Sequence, residues 1–303
     1  MNKKKILITG AGGFIGRNLK EYLNERYDIT ALTHSELDLI DTFAVEKFLN
    51  NKKFDVIIHC ASSGGSRKNG YDNGLNDIVY NNVRMLLNIE RCIGKETKLI
   101  YFGSGAEYDK SHDLKKVTED DFDKFVPNDY YGYAKYVMSK YSQNRKNIIC
   151  LRLFGVFGKY EDYSFKFISN SIVKNLFKLP IVINKNVVFD YLYIKDLNRI
   201  IEKLIEEDVS GCYNVTPSQS IDLNTIANII NNIGYYRSKV TIINSGLNNE
   251  YTGDNKKILE LMPNFKFTTY KQSINELFIY YKQNINNIDY ELIVKDEFLK
   301  FCK

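Results

Sequence analysis

Tyr131 and Lys135 stand four residues apart in Asn128-Asp129-Tyr130-Tyr131-Gly132-Tyr133-Ala134-Lys135, a segment that reads as entering a helix running to about Asn144. Residues four apart share a helical face, so the two side chains come within mutual reach. A free tyrosine, with a pKa of about 10, is a poor acid or base at neutral pH. An ammonium alongside favours its phenolate by roughly 1–3 pKa units, and a proton can then pass to or from a substrate oxygen. The pair alone is unspecific, because a chain with 23 tyrosines and many lysines contains such spacings by accident. Ser104 is a second candidate. Leu99 to Phe102 reads as a strand that Gly103-Ser104-Gly105 breaks, and a serine at the carboxyl end of a strand in an open α/β sheet sits where ligands bind.

These groups need a scaffold, and its start is legible at the N-terminus. Ile6, Leu7 and Ile8 form a short apolar run that suits a strand buried on both faces. Gly10, Gly13 and Gly16 follow at three-residue spacing, and Ile15, Leu19, Tyr22 and Leu23 then recur at helical spacing. Glycine suits a turn where a ligand's phosphates approach bare backbone and the new helix packs close to the strand. The start of that helix offers N–H groups to an anion.

The pattern continues in the same style. Ile29 to Thr33 reads as the second strand, Phe43 to Asn50 as a short helix, and Asp55 to Ala61 as the fourth strand of a parallel sheet, with His59 a core residue. Gly64 to Gly74 is a polar loop suited to covering a cofactor or shaping a pocket. Asp77 to Cys92 is a long helix, Ile148 to Phe154 a strand and Val187 to Ile194 an extended segment. Ser220 to Gly234 is an amphipathic helix ended by its glycine. Val240 to Ile243 and a helix over Lys271 to Lys282 complete a smaller mixed region.

The end of the second strand is where such folds meet the adenosine ribose. Here it is Thr33-His34-Ser35, with no acidic residue to repel the extra phosphate of NADP. That favours NADP, with His34 and Ser35 as phosphate donors, while Glu36 keeps NAD as the alternative.

Bulk composition narrows the classes. The chain has 303 residues, 44% apolar and 26% charged, with a net charge of +5 dispersed among many acids. This is the profile of an ordinary globular protein with a mixed surface and not of a nucleic-acid binder. Five cysteines, odd in number and set in apolar runs, argue for reduced thiols in a cytoplasmic protein and against a metal site. No apolar run approaches the roughly 20 residues of a membrane span, and the N-terminus lacks the apolar core of a signal peptide.

Taken in order, TGAGGFIG at 9–16, DVIIHCA at 55–61, FGSGAEY at 102–108, YGYAK at 131–135, LRLFGVFG at 151–158, FDYLYIKDL at 189–197 and YNV at 213–215 resemble the extended short-chain dehydrogenase/reductase family of sugar-nucleotide epimerases, dehydratases and reductases. The resemblance implies a doubly wound parallel α/β sheet of Rossmann type over residues 1–165, to which 187–200 return. Residues 166–303 would mainly form a smaller mixed α/β substrate-binding region. It further implies a catalytic set of Ser104, Tyr131 and Lys135. Tyr131 would give or take the proton, Lys135 would bind the nicotinamide ribose and lower the tyrosine pKa, and Ser104 would hydrogen-bond the reacting carbonyl. Cofactor contacts would fall on Gly10, Gly13, Phe14, Ile15, Gly16, His34, Ser35, Asp38, Leu39, Ala61 and Asn82, as well as on Tyr131 and Lys135.

Departures from the family pattern select among its reactions. Gly105 and Ala106 stand where dehydratases carry an Asp-Glu pair, and Ala106 also stands where epimerising reductases carry a cysteine. Gly155 replaces an asparagine, and Phe189 stands where an arginine often faces the diphosphate. The expectation is an NADPH-dependent reductase of a nucleotide-linked 4-keto-6-deoxy sugar, acting as a homodimer. An NAD-dependent 4-epimerase and a non-catalytic NAD(P)-binding sensor are the alternatives.

Overall fold

The structure is a computed structural model that describes residues 3–64, 77–297 and 299. The expected loop over Gly64 to Gly74 therefore lies outside the described residues beyond Gly64. The first half of the chain alternates strand and helix: β1 (Lys5–Thr9), α1 (Phe14–Leu23), β2 (Asp28–Leu32), α2 (Thr42–Asn50), β3 (Val56–His59), α3 (Ile78–Glu90) and β4 (Lys98–Ser104). After a 3-10 turn at Gly105–Tyr108 come β5 (Leu114–Val117), α4 (Tyr130–Ser142), β6 (Ile148–Leu153), β7 (Gly155–Phe157), α5 (Phe167–Leu176) and β8 (Ile181–Asn186). Then follow β9 (Val188–Phe189), β10 (Tyr191–Tyr193), α6 (Ile194–Glu206), β11 (Gly211–Val215), β12 (Ile221–Asp222) and α7 (Leu223–Ile233). The last elements are β13 (Val240–Leu247), β14 (Tyr251–Gly253), α8 (Lys256–Glu260), α9 (Tyr270–Gln283) and α10 (Tyr290–Lys295).

Six parallel strands in the order β11-β6-β4-β3-β1-β2 form the central sheet. The apolar runs explain why both of its faces are covered. Ile6, Ile8, Ile58, Ile100, Ile149 and Leu151 point into one core with Leu19 and Leu23 of α1 and Leu197, Ile201 and Leu204 of α6. Leu7, Ile57, Leu99, Tyr101 and Cys150 point the other way, onto Val45 of α2, Leu86 of α3 and Met138 of α4. Period-two alternation with apolar residues at every position makes a strand buried on both faces. The strand order reverses beside β1, so the switch point lies at the carboxyl ends of β1 and β3, where ligands bind in sheets of this kind.

The predicted doubly wound α/β architecture is the one observed, with local corrections. Val56–His59 is the third strand in the chain, not the fourth. The extended segment 187–194 divides into β9 and β10, which join different small sheets, β12-β9-β14-β5 and β10-β7. The later part of the expected returning segment, 194–200, opens α6, which packs on the central sheet, and the chain then enters that sheet through β11, which pairs with β6 along its full length. Buried Asp190 explains the break between β9 and β10: its carboxylate accepts from Ser220 Oγ at 2.6 Å and from the Gly253 amide at 2.9 Å, which ties three segments at one corner.

Candidate active site

The turn after β1 is held by contacts that only glycine allows. Gly10 has φ +65°, and a Cβ there would lie 2.6 Å from the Ala61 nitrogen. At Gly16 it would lie 2.4 Å from the Gly10 carbonyl oxygen. The β1 turn, the start of α1 and the end of β3 are thus packed backbone to backbone, which brings Ala61 to the turn. Gly12 and Gly13 are exposed. Asp41, Asp129, Asp222 and Thr269 cap α2, α4, α7 and α9 with their side chains, whereas α1 starts at Gly13 with no side-chain cap among the described residues. Its first N–H groups, on Phe14 and Ile15, remain for an anion. Phe14 and Ile15 themselves pack their side chains on the core.

At the end of β2, His34 and Ser35 are exposed and Leu39 is buried. Asp38 accepts from the Ile40 amide at 2.9 Å. Glu36 folds back on this strand end: its carboxylate accepts from the Thr33 N–H at 2.8 Å and the Thr33 hydroxyl at 2.7 Å. The Thr33 amide holds the Glu36 carboxyl below its usual pKa. A carboxylate therefore stands at the end of β2, on Glu36, the residue that kept NAD as the alternative.

Asn82, on α3, is buried and fully engaged. Its amide donates to the Ile78 and Ser63 carbonyls at 2.8 and 2.7 Å, and its oxygen accepts from Ser62 Oγ and the Ser63 amide at 3.1 Å. In this structure it shapes the chain leaving β3. His59 is likewise structural: it is buried and bonded through Nδ1 to Thr9 Oγ1 at 2.8 Å. Burial first, and then the nearby Lys135 charge, push its pKa down to about 3, so it is neutral.

The structure brings Ser104, Tyr131 and Lys135 together. Ser104 ends β4, and its hydroxyl accepts from the Ala106 amide at 3.1 Å, starting the 3-10 turn. Asp129 accepts from the Gly132 amide at 2.9 Å and begins α4. A Cβ on Gly132 would stand 2.8 Å from the Ala106 carbonyl oxygen, so α4 lies directly against the serine turn. Lys135, 3% exposed, donates from Nζ to the Phe102 carbonyl at 2.9 Å and sits 5.6 Å from the Tyr131 ring centroid. Burial lowers its pKa to about 8, while Glu107 and Cys150 oppose that fall. The ammonium persists at neutral pH beside the tyrosine, the arrangement that proton transfer requires.

Sequence reasoning missed several residues here. Tyr251, on β14, brings its hydroxyl to the serine turn, 2.7 Å from where a Cβ on Gly105 would stand, and burial raises its pKa. Its ring packs on Phe154 and Phe189, with centroids 5.1 and 5.4 Å away. One tyrosine among 23 gave no signal. Glu107 and Arg152 form a fully buried ion pair at 2.7 Å behind Ser104. Both lie inside the quoted motifs, so a charge of each sign in apolar surroundings was the available clue. A cleft of about 760 Å³ opens from Ala11 and Gly12 along Arg17, Lys20, Glu21 and Asn24. It adjoins the glycine turn, and none of Ser104, Tyr131 or Lys135 lines it.

Sheet order, switch point and glycine turn define a Rossmann-like α/β protein. More narrowly, the chain belongs to the NAD dependent epimerase/dehydratase family, whose family model matches residues 6–216. It is 27% identical over 176 residues to the ADP-L-glycero-D-manno-heptose-6-epimerase of Cupriavidus pinatubonensis, covering 52% of each chain. It is 28% identical over 173 residues to the GDP-L-colitose synthase of Yersinia pseudotuberculosis, covering 52% of this chain and 56% of that one. The chain thus spans about half the length of the curated relatives it matches. The NADP-bound GDP-L-fucose synthetase of Naegleria fowleri shares the fold, with TM-score 0.80 at 18% identity over 94% of this chain and 95% of that one. Among the described residues, no helix is long and apolar enough to cross a membrane.

Proposed function

We propose that this protein reduces a nucleotide-linked 4-keto-6-deoxy sugar at C4 with a nicotinamide cofactor. The observation that carries the reading is the set of Ser104, Tyr131 and Lys135 around one strand end, with Gly105 and Ala106 offering no acid or base for elimination or for epimerisation next to the ketone. Glu107 is the nearby carboxylate, and Arg152 neutralises it. The bare glycine turn and uncapped α1 fit a dinucleotide pyrophosphate, and Gly10, Gly13, Gly16 and the Phe14 and Ile15 amides would hold it. The cofactor supplies the hydride. Ser104 then hydrogen-bonds the ketone oxygen, Tyr131 protonates it as the alcohol forms, and Lys135 keeps the tyrosine pKa low and binds the ribose.

NADPH is the favoured form, read from exposed His34 and Ser35. Glu36, folded onto Thr33, opposes it and keeps NADH as the alternative. The heptose epimerase relative supports a second reading, an NAD-dependent epimerase that returns the hydride. Residues 1–165 would bind the cofactor, with most of 166–303 binding the sugar nucleotide. Exposed Tyr80 on α3 and Tyr130 and Tyr133 on α4 favour a homodimer through these helices, which sedimentation would test.

The deciding experiment follows NADPH and NADH absorbance against a panel of nucleotide-linked 4-keto-6-deoxy sugars. Net oxidation supports the reductase, product without oxidation supports the epimerase, and tight cofactor binding with neither refutes both in favour of a sensor. Tyr131→Phe should lower turnover by about a hundredfold or more with cofactor affinity retained. Full turnover in that variant would sink the proton role.

A further inference from the structure

Glu107 is fully buried in the 3-10 turn after β4, and the mechanism above gives it no part. Its two carboxylate oxygens reach three separate elements. Oε1 accepts from the Ser104 amide at 2.9 Å. Oε2 accepts from Ser139 Oγ of α4 at 2.6 Å and from Arg152 Nε of β6 at 2.7 Å. Tyr131, Lys135 and Ser139 succeed one another at four-residue intervals, so Ser139 continues the helical face that carries the tyrosine and lysine. The carboxylate even has its own recess, since a Cβ on Gly103 would stand 2.3 Å from Oε1. Arg152 is itself anchored, donating to the Tyr108 hydroxyl at 3.1 Å, which in turn donates to Asn214 at 2.8 Å.

We propose that Glu107 is a positioning residue that sets the distance between Ser104 and the Tyr131–Lys135 face, by binding the serine's backbone and the catalytic helix through one carboxylate fixed by Arg152. The inference rests on the catalytic roles read above for Ser104, Tyr131 and Lys135. A surface carboxylate would not serve, because long side chains in water hold no fixed geometry. A carboxylate closed in by three hydrogen-bonding contacts, one of them also ionic, does. The same charge acts on Lys135, whose surroundings are Glu107, Cys150 on β6, His59 on β3 and Tyr131 on its own helix. Of these, the Glu107 carboxylate is the group that favours the ammonium most.

The test compares wild type with Glu107→Gln and Ser139→Ala, measuring NADPH oxidation with the 4-keto sugar nucleotide that wild type turns over and titrating the Lys135 ε-carbon resonance. The amide keeps the shape of Glu107 but sets an N–H against Arg152 or Ser139 where an acceptor stood. A displacement of the serine from the tyrosine is expected to lower kcat by about tenfold to a hundredfold, with KM and NADPH affinity little changed. The Lys135 titration should also move to lower pH. Unchanged kcat and an unmoved titration in a folded Glu107→Gln protein would overturn the proposal, as would a loss that merely tracks melting temperature. Removing one partner of a buried pair is strongly destabilising. If Glu107→Gln does not fold, Ser139→Ala decides: it leaves the ion pair intact, removes one hydrogen bond to the carboxylate, and should lower kcat when assayed well below its melting temperature; full kcat would overturn the proposal. Should wild type oxidise cofactor with no sugar in the panel, the functional reading fails. The Lys135 titration in Glu107→Gln then still decides the Glu107 contact.

Discussion

Replacing Lys135 by methionine should make the protein more stable and less active at neutral pH. The ammonium is 3% exposed, and burial lowers its pKa from the ordinary 10.5 to about 8, with Glu107 and Cys150 opposing. The unfolded chain therefore keeps the proton up to 10.5 while the folded protein releases it near 8. Between those values the unfolded state holds more protons, so wild-type stability rises with pH. Below 8 the full cost applies, on the order of 3 kcal/mol at 1.36 kcal/mol per pKa unit.

Methionine fills similar space without charge. It forfeits the bond to the Phe102 carbonyl, which is worth about 1 kcal/mol. The net expectation near neutral pH is a gain of about 2 kcal/mol, or about 3 °C in melting temperature. Unfolding by urea and by heat without cofactor, near neutral pH and again above the ordinary lysine pKa, measures it. The advantage should shrink and reverse as pH rises and wild type sheds its proton. Turnover should fall by about tenfold to a thousandfold, the factor by which the ammonium favours the phenolate, and wild-type activity should decline above the pH at which Lys135 deprotonates. A variant less stable than wild type at neutral pH, or a difference that ignores pH, would refute this account of Lys135.

The glycine turn offers a steric check. Gly16→Ala puts a Cβ 2.4 Å from the Gly10 carbonyl and should cost about 1–3 kcal/mol and weaken NADPH binding. At Gly12 the nearest atom is Thr33 Cγ2 at 3.4 Å, so alanine there should leave the melting temperature nearly unchanged. Melting both variants and titrating them with NADPH by fluorescence tests the contrast, and an unaffected Gly16→Ala protein would contradict it. Glu36→Gln removes the carboxylate from the end of β2 and should raise the preference for NADPH over NADH in kcat/KM; an unchanged ratio would remove Glu36 from cofactor choice. Tyr251→Phe removes the hydroxyl that stands at the serine turn and should lower kcat by up to about tenfold, the value of one hydrogen bond there, with melting temperature maintained. Wild-type kcat in that variant would leave Tyr251 as packing alone.

Much of the scaffold was legible because its signals are local. Ile6 to Ile8, Asp55 to Ala61 and Leu99 to Phe102 declare buried parallel strands by continuous apolar character, and the glycine spacing declares the turn. Tyr131 and Lys135 declare a shared face by the helical period. Helix α6 was also readable, since Ile194, Leu197, Ile201, Leu204 and Ile205 recur at helical spacing, but the preceding aromatic run drew the segment into a strand reading. The short strands β5, β9, β12 and β14 carry too few residues for a period to show.

What the sequence by itself determined is therefore the succession of strands and helices, the glycine turn and the shared helical face of Tyr131 and Lys135, because each depends on neighbours within one or two turns of chain. Tertiary structure alone decided that Glu107 meets Ser139 and Arg152, that Tyr251 reaches the serine turn and that β11 closes the sheet beside β6. It also decided that the Glu36 carboxylate folds back onto Thr33 at the end of β2. The first three contacts join residues far apart in the chain, so packing of whole elements sets them and no local spacing records them. The fourth depends on a side chain turning back on its own strand end, a choice that composition leaves open until the turn is folded.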